Sequence, residues 1–122
     1  MAGTELSDLL EHTYGLEELK NSDLVPVVSV NLGSGYDWEE FHAFFSPSRR
    51  RFFWASGAGC SCNSWHDGLR TLDDFENGVS RADVMAAMNR FFDESEEYRS
   101  SRVDRIAKLA EVNSFNVREH LS

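Results

Sequence analysis

Two short aromatic runs in succession constrain this chain most: residues 38–45 and, after Ser46-Pro47-Ser48, residues 49–56. A strand sends successive side chains to opposite faces. Read with period two, Glu39, Phe41, Ala43 and Phe45 share one face, and Trp38, His42 and Phe44 the other. In the second run Phe52 and Trp54 oppose Arg51, Phe53 and Ala55. A β-hairpin is predicted, and with rings on both faces its sheet has to be covered twice, by helix on one side and by loop or partner on the other.

The flanking sequence extends this unit. Residues 25–32 are β-branched and apolar, with Pro26 at the start, where a strand tolerates a missing donor. Asn31, Gly33, Ser34 and Gly35 supply a turn into the hairpin. Ahead of it, Thr4 followed by acids and by Leu6, Leu9, Leu10, Leu16 and Leu19 predicts an N-terminal amphipathic helix. Thr71 to Phe75 suits a short helical turn that anchors Leu72 and Phe75. Ser80 with Asp83 three residues on is a capping pair, opening a helix in which Val84, Met88, Phe91 and Phe92 recur at helical spacing. A second helix is expected over 98–112, with Val103, Ile106, Ala107 and Ala110 on one face, and a last short one through Val117 and Leu121. The fold class that results is α+β: an N-terminal helix, a three-stranded antiparallel sheet near 25–32, 38–45 and 50–56, and a helical C-terminal third from 80 to 122. At 122 residues this is a single domain, 1–122.

Hydrophobic residues at 41% and charged residues at 27% are globular values. Apolar runs fall well short of the ~20 residues a membrane helix needs, and the acidic start lacks the pattern of an export signal. A soluble cytoplasmic protein is expected. The formal charge of −9 is unevenly distributed: residues 1–48 hold nine acids and one base, 49–70 one acid and four bases, 71–97 eight acids and two bases, and 98–122 three acids and five bases. Such a field disfavours general nucleic-acid binding.

Glycines, thiols, an imidazole and a carboxylate concentrate in Gly57-Ala58-Gly59-Cys60-Ser61-Cys62-Asn63-Ser64-Trp65-His66-Asp67-Gly68. The glycines predict that the chain leaves its third strand here by a tight turn. Cys60, Cys62 and His66, completed by His42 or Asp67, are a ligand set zinc accepts, although one residue between the cysteines is fewer than finger motifs use. A cysteine nucleophile beside His66 is a second reading, and a buried structural turn plugged by Trp65 a third. With the cysteines one residue apart a disulfide would close a strained ring, so reduced thiols are expected.

The run Phe53-Trp54-Ala55-Ser56-Gly57-Ala58-Gly59-Cys60-Ser61-Cys62, followed by Leu72-Asp73-Asp74-Phe75, resembles a family of small uncharacterised proteins encoded by actinobacterial phages. In that family an aromatic strand runs into a Gly-Cys-Ser-Cys turn, usually followed by a proline that this chain lacks. The resemblance spans about the middle half of the chain. It implies a phage accessory protein and assigns no catalytic residues.

Residues 106–121 are similar to the helix-turn-helix pattern of bacterial repressors. In that reading, which takes in 98–121, Phe115, Asn116 and Arg118 reach base edges and Arg99, Arg102 and Arg105 approach phosphates. The alternative is an ordinary helical hairpin with a solvated basic stripe.

The leading expectation is a non-enzymatic accessory protein that binds and modulates a host protein, with Trp38, Phe44, Trp54 and Trp65 as partner-facing aromatics. Exposed rings beside a sheet also suit a homodimer. A DNA-binding regulator, and a metal or small-molecule site at the Cys60–Asp67 turn, are the other classes.

Overall fold

A computed structural model describes residues 23–33, 37–60, 71–95 and 103–121. Three long strands, β1 (Val25–Gly33), β2 (Asp37–Ser46) and β3 (Arg51–Cys60), pair antiparallel in sequence order, and a short β4 (Glu76–Gly78) joins the outer edge of β3. Two helices follow, α1 (Arg81–Glu94) and α2 (Arg105–Asn113).

The alternation read from the aromatic runs sets the layers. Val28, Val30 and Leu32 of β1 pair with Ala43, Phe41 and Glu39 of β2, and Ala43, Phe41 and Phe45 pair with Trp54, Ser56 and Phe52 of β3. These apolar side chains form one core with Val84, Ala87, Met88 and Phe92 of α1 and Val112 of α2. A fully buried Phe or Leu contributes roughly 1.5–3 kcal/mol by removal from water, so this face anchors the fold. Rings couple the layers further: Phe91 lies 5.7 Å from Phe41, and Phe115 lies 5.8 Å from Phe45 and 6.0 Å from Phe52. On the opposite face Phe44 meets Phe75 edge-on at 6.0 Å. Phe75 is delivered by the 3-10 turn Leu72–Asp74, which Thr71 and Asp74 close as a capping box. Helices thus cover one face, and on the other the described residues place the Phe75 turn against Phe44.

Several expectations are corrected. The sheet has four strands, because Glu76-Asn77-Gly78 pairs with Phe52, Phe53 and Trp54. A three-residue strand without a β-branched or aromatic side chain carries no period-two signal; its pairing comes from the edge that β3 offers. The glycines at 57 and 59 do not end β3, because Gly57 and Gly59 stay in register with Glu40 and Trp38 of β2. The N-terminal helix falls in residues 1–22, outside the described residues. The second helix begins at Arg105, after Asp104 caps the Ala107 amide, and the last helix is a 3-10 turn, Val117–His120. The face of α2 differs as well, since Ile106 is 79% exposed while Val112 is buried and Leu109 packs against the core. Arg105 sets that rotation: its guanidinium bonds the side chain and carbonyl of Asn89, pairs with Asp93 at 2.9 Å and lies over the Phe92 ring.

The β2–β3 turn is tied to the segment ahead of β1. Asp23 accepts hydrogen bonds from the Ser46 hydroxyl and the Ser48 amide, both at 2.6 Å, and Arg49 lies 3.8 Å away. Burial pushes the Asp23 carboxyl up, but the hydrogen bonds from Ser46 and Ser48 outweigh it and hold the group below its ordinary value. Pro26 sits at a bulge in β1, an edge strand, where its missing N–H is tolerated.

Candidate functional site

On the sheet face away from the helices, polar groups line up across two strands. Ser29 of β1 is the register partner of His42, and Glu40 shares the face of His42 two residues earlier on β2. The Ser29 hydroxyl is 2.7 Å from His42 Nδ1, and His42 Nε2 is 2.9 Å from Glu40 Oε1. Both ring nitrogens of His42 are thus engaged, one with a hydroxyl and one with a carboxyl oxygen. Glu40 and His42 are both 0% exposed, which makes the line a buried polar network inside the sheet. Sequence reading singled out His42 only as a zinc ligand and passed over Glu40. The signal available was an acid and a histidine at i and i+2, on one face of a strand otherwise filled with rings.

The helix-side face opens where the side chains become small. Phe52 and Trp54 fill the space between sheet and α1 at one end of β3, but Ser56, Gly57 and Ala58 at the other end do not. The result is an open cleft of about 420 Å³, floored in part by Phe41 and Phe91. Among the described residues its rim carries Glu39, Glu76 and Glu94 and one base, Arg90. Two of the acids are held in place: Ser95 donates from its hydroxyl to Glu39 Oε2 at 2.5 Å, and the Trp54 indole N–H donates to Glu76 Oε2 at 2.9 Å. Among the described lining residues acids outnumber bases, the floor is apolar and the mouth open. That combination suits a cationic side chain on an apolar stem. The acidity is legible in the sequence but this convergence is not, because the three acids come from three separate elements.

A smaller groove of about 320 Å³ lies at the other end of α1, lined by Arg81, Ser114, Phe115, Asn116, Val117 and Arg118. Arg81 donates to the backbone carbonyls of Asn113 and Phe115, tying α1 to the end of α2. This groove holds three of the residues expected at DNA. Phe115, however, packs on Phe45 and Phe52 and stacks on His120, and Asn116 Oδ1 caps the Arg118 amide. Arg105 is engaged with Asn89, Asp93 and Phe92, and Arg99 and Arg102 lie outside the described residues. A recognition helix after the turn is replaced by the 3-10 turn Val117–His120.

Among the aromatics expected at a partner surface, Phe44 and Trp54 are buried at 0% and 6% exposure. Trp38 is half-buried near the end of β2, and Trp65 lies outside the described residues. Of the proposed zinc ligands, Cys60 ends β3 while Cys62 and His66 lie outside the described residues. Among the described residues no three of His, Cys, Asp and Glu converge to hold a metal ion, and no helix is long and apolar enough to cross a membrane.

A family model described as a domain of unknown function (DUF7574) matches residues 14–116. No curated protein and no solved structure matches the chain.

Proposed function

Since the chain belongs to the DUF7574 family, whose description assigns no activity, its role has to come from its own surfaces, and we propose that it is a non-enzymatic accessory protein that binds a partner protein through the acidic cleft. The observation that carries this reading is the rim of Glu39, Glu76 and Glu94 over an apolar floor, on a chain of net charge −9. A negative field steers encounter with basic surfaces, and an apolar floor rewards the stem of a lysine or arginine once it has arrived. The phage origin implied by the Gly-Cys-Ser-Cys segment makes that partner a host protein, with modulation of the host as the outcome.

The test compares capture from host lysate by the wild-type chain and by a triple variant, Glu39→Gln, Glu76→Gln and Glu94→Gln, which keeps hydrogen-bond acceptors and removes the charge. A partner should be retained at low salt by the wild type, be depleted on the variant, and be released as ionic strength rises and the Debye length falls below about 8 Å. Equal capture by both chains, or capture by neither, defeats the proposal.

A further inference from the structure

The cleft adjoins an unfinished sheet edge. β4 pairs with β3 only at Phe52, Phe53 and Trp54, and then the chain ahead of Glu76 departs to the other face of the sheet, where Phe75 meets Phe44. Among the described residues, no strand pairs with Ala55 to Cys60 on that outer edge, although all of them pair with β2 on the inner one. Six strand residues run to about 20 Å, enough for a stable ladder with an incoming strand. Ser56 and Ala58 are exposed, and Gly57 has no side chain to hold another backbone away. Resting on the reading of the cleft as a partner site, we propose that the partner enters as an extended basic segment that adds to the β3 edge at 55–60 as a further strand beyond β4.

The register argues for the chemistry of that segment. Ser56 and Ala58 share the helix-side face with Trp54, whose partner Glu76 points to the same side and bonds its indole. Residues of the added strand opposite Ser56 and Ala58 therefore project into the cleft, among Glu76, Glu94 and the Phe91 ring. Residues between them project to the other face, beside the end of the sheet that carries Ala55 and Gly57. An alternation of lysine or arginine with a β-branched residue matches this pattern. Backbone hydrogen bonds supply the affinity and the alternate side chains the selectivity, as in other strand-addition complexes.

The experiment titrates the full isotope-labelled chain with three short capped peptides: one alternating lysine and valine, the same peptide N-methylated at every second residue, and one alternating glutamate and valine. N-methylation removes backbone donors and leaves charge and side chains in place. The lysine peptide should bind at low salt, shift the amide resonances of Ala55, Ser56, Gly57 and Ala58, and slow the solvent exchange of the alternate amides among them that face away from β2. The N-methylated peptide should bind about tenfold or more weakly, the equivalent of losing two net backbone hydrogen bonds, and the glutamate peptide should not bind. Equal binding of the lysine peptide and its N-methylated form, or perturbation elsewhere in the chain, overturns strand addition while leaving the acidic cleft as a partner site. Equal binding of the glutamate peptide overturns the charge argument. If no peptide binds, strand addition fails, and the lysate comparison with the charge-free variant decides the broader reading independently.

Discussion

The Glu40–His42–Ser29 line gives the sharpest energetic prediction. Both Glu40 and His42 are fully buried, and their bond is 2.9 Å long. Glu40→Ala and His42→Ala each remove one side of this bond. Losing one partner of a buried hydrogen bond costs about 1–3 kcal/mol. Each single substitution is therefore expected to cost about 2–3 kcal/mol, a large share of the roughly 5–15 kcal/mol that holds a domain together. The double substitution removes both halves of the bond at once, so its cost should fall short of the sum by about 2 kcal/mol. Glu40→Gln keeps a hydrogen-bonding group opposite Nε2 and is expected to cost only about 1 kcal/mol, which keeps the series measurable if the alanine variants fail to fold. Ser29→Ala removes the hydroxyl that bonds Nδ1 and should also cost about 1 kcal/mol. Urea unfolding followed by tryptophan fluorescence at neutral pH reads the five variants against the wild type. Additivity of the Glu40 and His42 substitutions to within about 0.5 kcal/mol would refute the coupling, and with it the reading of these groups as one network.

Three further predictions concern the backbone and the acid limb. A Cβ added at Gly78 would lie 2.7 Å from Asp83 Oδ2 and 2.8 Å from Asp83 Cβ, so Gly78→Ala has to displace the carboxylate that accepts the Val79 and Ser80 amides. It should cost about 1–2 kcal/mol, seen as a lowered thermal midpoint, with an unchanged midpoint counting against the capping argument. Arg50 holds φ at 53° at the end of the β2–β3 turn, a conformation that glycine adopts freely, so Arg50→Gly should be neutral to stabilising by up to about 1 kcal/mol in denaturant titrations. For Asp23 the folded pKa lies below the ordinary 3.8. Its stabilising contribution is therefore present above that pH and lost as pH falls through the folded value. The gap in urea midpoint between wild type and Asp23→Ala should be constant near neutrality and shrink below about pH 4; a gap independent of pH would contradict the assignment.

What the sequence made legible follows from where signals repeat. The long strands carry rings or β-branched residues at every second position, and α1 carries Val84, Met88 and Phe92 at helical spacing behind a Ser80–Asp83 cap, so their existence and inward faces could be read locally. β4 could not, because Glu76-Asn77-Gly78 becomes a strand only through the edge of β3. Nor could the persistence of β3 through Gly57 and Gly59, where pairing with β2 overrides a sequence that reads as a turn. The face of α2 was misjudged because Ile106, Ala107 and Ala110 form as good a stripe as Leu109 and Val112, and the choice between them rests on the tertiary clamp of Arg105. The cleft was invisible for a different reason: it is made by what is missing at Ser56, Gly57 and Ala58 and by acids far apart in the chain.

Among the described residues no strand lies beside β3 beyond β4, and such an edge is a template for any other bare strand, including the same one on a second molecule. Glu39, Glu76 and Glu94 line the cleft next to it, with Arg90 the one base among the described lining residues. Carboxylates beside a strand edge work as gatekeepers, because two copies brought edge to edge would carry like charges into contact. By that rule the acids that would favour a basic strand are the same ones that would oppose self-pairing.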